Sequence, residues 1–101
     1  MRLIVMFDLP VESVENKRDY RVFRKFLVNE GFIMMQESIY CKLLLNSTNL
    51  NLLVDRIKKH KPQKGLVQLL KITEKQYSEI LYLTGSKQTK IEESDSRLVI
   101  I

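Results

Sequence analysis

One cysteine, one histidine and no tryptophan occur among the 101 residues, beside three glycines and two prolines. A lone Cys41 excludes a disulfide within the chain and fits a reducing compartment. With His60 as the sole histidine, no zinc site of ordinary Cys/His composition can form in one chain. Cys41 also lies inside an apolar strand pattern, the setting of an inert thiol and not of a nucleophile paired with histidine. Long hydrophobic runs are missing as well. LIVMF after Arg2 is too short for a secretory leader and no small-residue cleavage site follows it, while a membrane span needs about 20 apolar residues. The expectation is a cytoplasmic protein that does not engage a membrane. There is no series of exposed aromatics to stack single-stranded bases, and no glycine–aromatic motif of an RRM sheet. Internal repeats and low-complexity tracts are absent too.

The remaining composition is that of a soluble globular domain, with 45% apolar and 29% charged residues. At this length it is one domain with one modest core. The formal net charge is +5 and the sequence pI about 9.4, which makes polyanions the natural partners. Where the charges sit says more than their sum.

The pattern along the chain predicts a buried strand over Leu3–Phe7 and a loop over Pro10–Glu15. Asn16 is a candidate N-cap for a helix running to about Glu30, with Gly31 just past its end. Tyr20, Phe23, Phe26 and Leu27 form its apolar stripe. FIMMQESIYCKLLL reads as two strands joined by a tight turn or bulge at QES. Asn46–Thr48 can cap a second helix with Leu50, Leu53, Val54 and Ile57 on its core face, ending near Lys61 because Pro62 follows. Lys64–Ile72 is the next strand, and Thr73 with Gln76 matches a capping box for one or two helical turns. Ile80–Leu83 is a candidate short strand. The polar stretch Thr84–Ser96 and the terminal strand RLVII complete the chain. We therefore expect a single domain, its core over 1–83 and its extension over 84–101. The order βαββαβ points to an α+β, ferredoxin-like sandwich with two helices on one face of an antiparallel sheet.

Two helices leave the second sheet face bare, yet the strands are apolar on both sides. Leu3, Val5 and Phe7 alternate with Ile4 and Met6, and Val67 and Leu69 alternate with Leu66 and Leu70. An antiparallel sheet with a wet face should alternate apolar with polar residues instead. A second copy, sheet against sheet, is the simplest cover, so a homodimer is expected. A terminal apolar edge strand such as RLVII also calls for pairing.

Asp8 ends the first strand. It can be a turn residue ahead of Pro10, or a metal or acid/base carboxylate at a strand exit. Asp8 shares strand parity with Ile4 and Met6, so a sheet-to-sheet dimer could pool two such carboxylates in one groove. Glu37 and Ser38 are the groups that could approach it after the strand turn, and His60 reads as a solvated helix-end residue. Lys17, Arg18, Arg21, Arg24 and Lys25 crowd the first helix, with Arg18, Arg21 and Lys25 on one stripe. Arg56, Lys58, Lys59, Lys61 and Lys64 run off the second helix into a loop. Both groups have a plain explanation as solvated faces or dipole complements. Together, and doubled in a dimer, Lys17, Arg18, Arg21, Lys25, Arg56, Lys58 and Lys59 would form a surface for duplex phosphates.

FDLP after an amino-terminal strand, the helix KRDYRVFRKFLVNEGF and the turn QESIY closely resemble the small CRISPR-associated family called Cas-two. RLIVMFDLP with KLLLN, KGLVQLL and TEKQ is similar to the branch found in type II-A systems. The resemblance covers essentially the whole chain. It implies a ferredoxin-like homodimer that partners the CRISPR integrase Cas-one in spacer acquisition. It implies that Asp8 matches an acidic residue assigned to Mg²⁺ in a phosphodiesterase site at the dimer interface. It further implies a metal-dependent endonuclease acting on single-stranded RNA or duplex DNA, or a non-catalytic scaffold that holds a duplex prespacer between integrase dimers. Arg18 and Arg21 lie where that family places backbone-contacting arginines. Phe7 stands where many relatives have tyrosine, which leaves no phenolic hydroxyl there to orient water or phosphate. A ribonuclease toxin of the VapD type and a ferredoxin-like regulatory domain are the alternative readings.

Overall fold

The computed structural model describes residues 1–85. Within them the elements are β1 (Arg2–Asp8), α1 (Val14–Asn29), β2 (Ile33–Gln36), β3 (Ile39–Leu43), α2 (Ser47–His60), β4 (Leu66–Ile72) and α3 (Glu74–Ser78). The strands form one antiparallel sheet in the order β2-β3-β1-β4. This is the ferredoxin-like α+β sandwich expected from the element order. RLVII, with the rest of the polar stretch beyond Gly85, lies outside the described residues.

Alternation along β1 decides the two faces. Leu3, Val5 and Phe7 are buried toward the helices with Phe23 and Leu27 of α1 and Leu50, Leu53 and Ile57 of α2. Tyr20, Phe26 and Val54 pack against that core partly buried. Phe7 is its aromatic centre, edge-on to Phe23 at 5.2 Å and stacked on Tyr40 at 5.8 Å between centroids.

Caps set the helix ends. Ser13, not Asn16, caps α1, and its side chain accepts the backbone N–H of Asn16. The helix therefore starts two residues before the expected cap. Asn16 is the residue whose orphan N–H is satisfied, and Glu15 adds a favourable acid to the first turn. Asn46 caps α2 in the same way through Asn49, and Lys61 ahead of Pro62 turns extended. Both halves of the Thr73–Gln76 capping box form at α3.

FIMMQESIYCKLLL does divide into two strands, with a register shift between Met34 and Gln36. Ile80–Leu83 is not a strand. The Ile80 N–H returns to the Tyr77 carbonyl in a turn, and Leu81 and Leu83 are exposed, so this stretch has no ladder to join. β4 begins at Leu66 and not at Lys64, because Gly65 takes φ +97° in the preceding bend.

Register places rows of side chains across the face away from α1 and α2. Ile33, Cys41, Ile4 and Leu70 form one row, and Leu43, Arg2 and Ile72 another. Ile33, Leu43, Leu66 and Leu70 are exposed there. Cys41 and Ile4 are buried. Part of the cover comes from α3, which crosses to this face and is clasped by Arg2. The Arg2 guanidinium lies 3.8 Å over the Tyr77 ring, pairs with Glu74 at 2.9 Å, and reaches Cys41 Sγ at 3.7 Å. No helix among the described residues is long and apolar enough to cross a membrane.

Candidate nucleic-acid site at the exit of the first strand

Asp8 is not a turn residue. It is the last residue of β1, still in register opposite Leu66 of β4, and its side chain is exposed on the apolar sheet face with Ile4 and Met6. The turn starts one residue later, where Leu9 folds back into the core. Gly65 fixes the approach of the neighbouring segment. A Cβ there would sit 2.8 Å from the Asp8 carbonyl oxygen and 2.7 Å from Leu9 Cδ2, at a φ that side chains disfavour.

Three further segments meet this end of the sheet. The β2–β3 turn arrives through the Phe7 N–H, which donates to the Ser38 carbonyl at 3.0 Å. Tyr20 of α1 donates to the Glu37 carbonyl at 3.5 Å. The backbone of Glu37 and Ser38 therefore lies at the Asp8 end of the sheet. The third segment is the bend over 61–65.

Phe7 faces the opposite way. Its ring is buried among Tyr20, Phe23 and Tyr40, so a hydroxyl at this position would enter the helix-side core. Strand parity thus corrects the expectation that tyrosine here would serve the groove at Asp8. Adjacent residues of a strand point to opposite faces.

Lys17, Arg18, Arg21 and Lys25 are all exposed on α1, as are Lys58 and Lys59 at the end of α2. Arg56 is already engaged. Its Nε and Nη2 donate to the two Glu30 carboxylate oxygens at 3.0 and 2.9 Å. This fork holds the Glu30 carboxyl below its ordinary range. Lys42 Nζ donates to the Glu30 backbone carbonyl. His60 is exposed at the end of α2 and stacks on Phe26 at 4.2 Å, with Nδ1 against the Arg56 carbonyl. A groove lined by Leu43, Leu45, Asn49, Leu52 and Arg56 lies at the other end of the sheet, where Leu44 bonds to Met1.

No group of three His, Cys, Asp or Glu side chains gathers among the described residues. At this end of the sheet a cation would meet the exposed Asp8 carboxylate, with Glu37 the other acid on the segments that converge there. That sparse donor set fits Mg²⁺, which binds through one or two carboxylates, keeps several waters and shares substrate phosphates. It does not fit Zn²⁺, which wants three or four protein ligands.

Gly65 is the contributor to this site that sequence reasoning missed. Gly65 ahead of an apolar run could have been read as a point of close backbone approach.

Comparison with known proteins identifies the family. The family model described as CRISPR associated protein Cas2 matches residues 1–80. The chain is 50% identical over 101 residues to the CRISPR-associated endoribonuclease Cas2 of Streptococcus mutans serotype c (strain ATCC 700610 / UA159), covering 100% of this chain and 93% of that one. It is 50% identical over 101 residues to the protein of the same name from Treponema denticola, with 100% of both chains covered. The like-named protein of Ligilactobacillus salivarius is 45% identical, again over the full length of both.

Proposed function

The chain belongs to the CRISPR associated protein Cas2 family, and from that premise we propose that it is a nucleic-acid-binding protein of CRISPR adaptation with a phosphodiesterase site at Asp8. The observation that carries the reading is the position of Asp8, an exposed carboxylate ending a central strand on an apolar sheet face. Its relatives bear the name endoribonuclease, so single-stranded RNA is the first substrate to offer and duplex DNA the second.

A second copy packed on the face of Ile33, Leu43, Leu66 and Leu70 would bury their exposed area and bring two Asp8 carboxylates to one groove. Asp8 from each copy would then hold Mg²⁺ against a substrate phosphate. Bound Mg²⁺ supplies Lewis-acid polarisation of the phosphoryl oxygen and a water of lowered pKa. The residues of the chain do the placing. Lys17, Arg18, Arg21 and Lys25 neutralise phosphates along α1, and Lys58 and Lys59 extend that surface, without reading base sequence. Arg56 contributes less than its neighbours because Glu30 already holds its fork.

Wild-type and Asp8→Ala protein, given labelled RNA or a duplex with Mg²⁺ or chelator, test the site. Cleavage by wild type with metal alone supports it; equal cleavage by both proteins refutes it. A Leu70→Lys substitution should leave a monomer by sedimentation equilibrium where wild type is a dimer, and an unchanged dimer would overturn the sheet-to-sheet arrangement.

A second reading rests on the exposed α1 stripe: a scaffold that holds duplex prespacer DNA for the integrase Cas-one. Charge reversal at Arg18 and Arg21 should then weaken duplex binding and lower its salt slope, while Asp8→Ala leaves binding intact. Binding that is unchanged by the reversal would sink this reading.

A further inference from the structure

We infer that the bend over 61–65 is the second wall of the Asp8 site, and that Lys64 contacts a phosphate of the bound strand beside the one at Asp8. This rests on the phosphodiester reading above and adds a substrate-contacting residue to it. The argument starts from register. Asp8 faces Leu66 directly across the β1–β4 ladder, and opposed residues of an antiparallel pair lie about 4.5–5.5 Å apart. Lys64 precedes Leu66 by two residues, a span of at most about 7 Å. A lysine side chain carries its ammonium several ångströms further. These spans put the Lys64 backbone at the exit of β1, where its exposed ammonium is placed to meet the same bound strand as the carboxylate.

Gly65 makes that placement rigid. Its backbone sits so close to the Asp8 carbonyl and Leu9 that a Cβ would meet both below 3 Å. Lys64 is thus anchored one residue from the exit of β1 and does not swing on a long loop. Lys64 is exposed and has no acidic partner among the described residues. Arg56, by contrast, is held by Glu30. A strongly hydrated point charge is suited to a phosphate and indifferent to base or sugar. The interaction should consequently serve RNA and DNA alike.

Binding of labelled RNA and of a duplex, measured in chelator over a salt series, tests this with wild type, Lys64→Ala, Lys64→Arg and the remote Lys75→Ala. Lys64→Ala should weaken both ligands several-fold and reduce the salt slope by about one. Lys64→Arg should restore both, and Lys75→Ala should match wild type. Asp8→Asn removes a repulsion and should tighten binding in chelator, by a smaller factor when Lys64 is already alanine. If Lys64→Ala keeps the wild-type affinity and slope, Lys64 touches no phosphate although the protein still binds nucleic acid. Fully additive effects at Asp8 and Lys64 would overturn its place beside Asp8. Wild type that binds neither ligand would overturn this inference and the reading beneath it together.

Discussion

At the scale of single residues, neighbours in sequence serve opposite faces. Phe7 fills the core while Asp8 stands in solvent, so their substitutions should separate cleanly: Asp8→Ala acts on cleavage and Phe7→Ala on folding. Tyr40 is a sharper case. Its ring is buried against Phe7, and its hydroxyl has no hydrogen-bond partner among the described residues. A buried polar group left unpaired costs about 1–3 kcal/mol. Tyr40→Phe should accordingly leave stability unchanged or raise it by about 1 kcal/mol in urea unfolding; a clear loss would mean that the hydroxyl has a partner. Gly65 behaves in the opposite sense. Alanine there meets backbone and an unfavourable φ, and should cost about 1–3 kcal/mol by the same measurement.

At the scale of elements, two polar clasps join what hydrophobic burial leaves loose. Glu30 beyond α1 holds Arg56 of α2 through a two-bond fork. The Glu30 carboxyl is more acidic folded than unfolded, so its contribution is complete above the ordinary value of 4.5 and fades as pH falls through the lower folded value. Glu30→Gln should therefore lower the melting temperature slightly at neutral pH and make no difference in strong acid. Arg56 is exposed and Glu30 partly so, so the change should be small and should shrink with added salt. The second clasp, Arg2 with Glu74 and Tyr77, closes α3 over Cys41. Burial pushes the Cys41 thiol up, so it should react slowly with thiol reagents in the native protein. Arg2→Ala uncovers the sulfur while removing a cation that favours its thiolate, and should still speed that reaction several-fold at constant pH; a slower reaction would show that Arg2 matters to the thiol by its charge and not by its cover. The capping box of α3 was legible in four residues of sequence, because a cap is a local bond between near neighbours. The place where α3 lands was not, since it depends on Arg2 at the far end of the chain. The start of α1 was misplaced for a related reason: Ser13 and Asn16 are both good caps, and only the backbone shows which one accepts.

At the scale of the whole molecule, alternation and element order were enough for the sandwich. Burial of Leu3, Val5 and Phe7 against the stripes of α1 and α2 is the only way these faces can leave water together. Asp8 was legible as a candidate from its position, whereas its surroundings were not. Glu37 comes to that end from the β2–β3 turn and Gly65 from the bend before β4, and register between distant strands is not written in either of them. The sheet order has one more consequence. β1 lies inside the sheet, hydrogen-bonded on one side to β3 and on the other to β4. Among the described strands, β1 thus waits for β4 before both of its edges are paired. At about 5–20 residues per second, Ile72 is added several seconds after Arg2. Throughout that interval the nascent chain carries an LIVMF strand with at least one open edge, a natural client for a chaperone. Pulse-labelled nascent chains halted before β4 should be captured by a holdase, and chains released after it should escape.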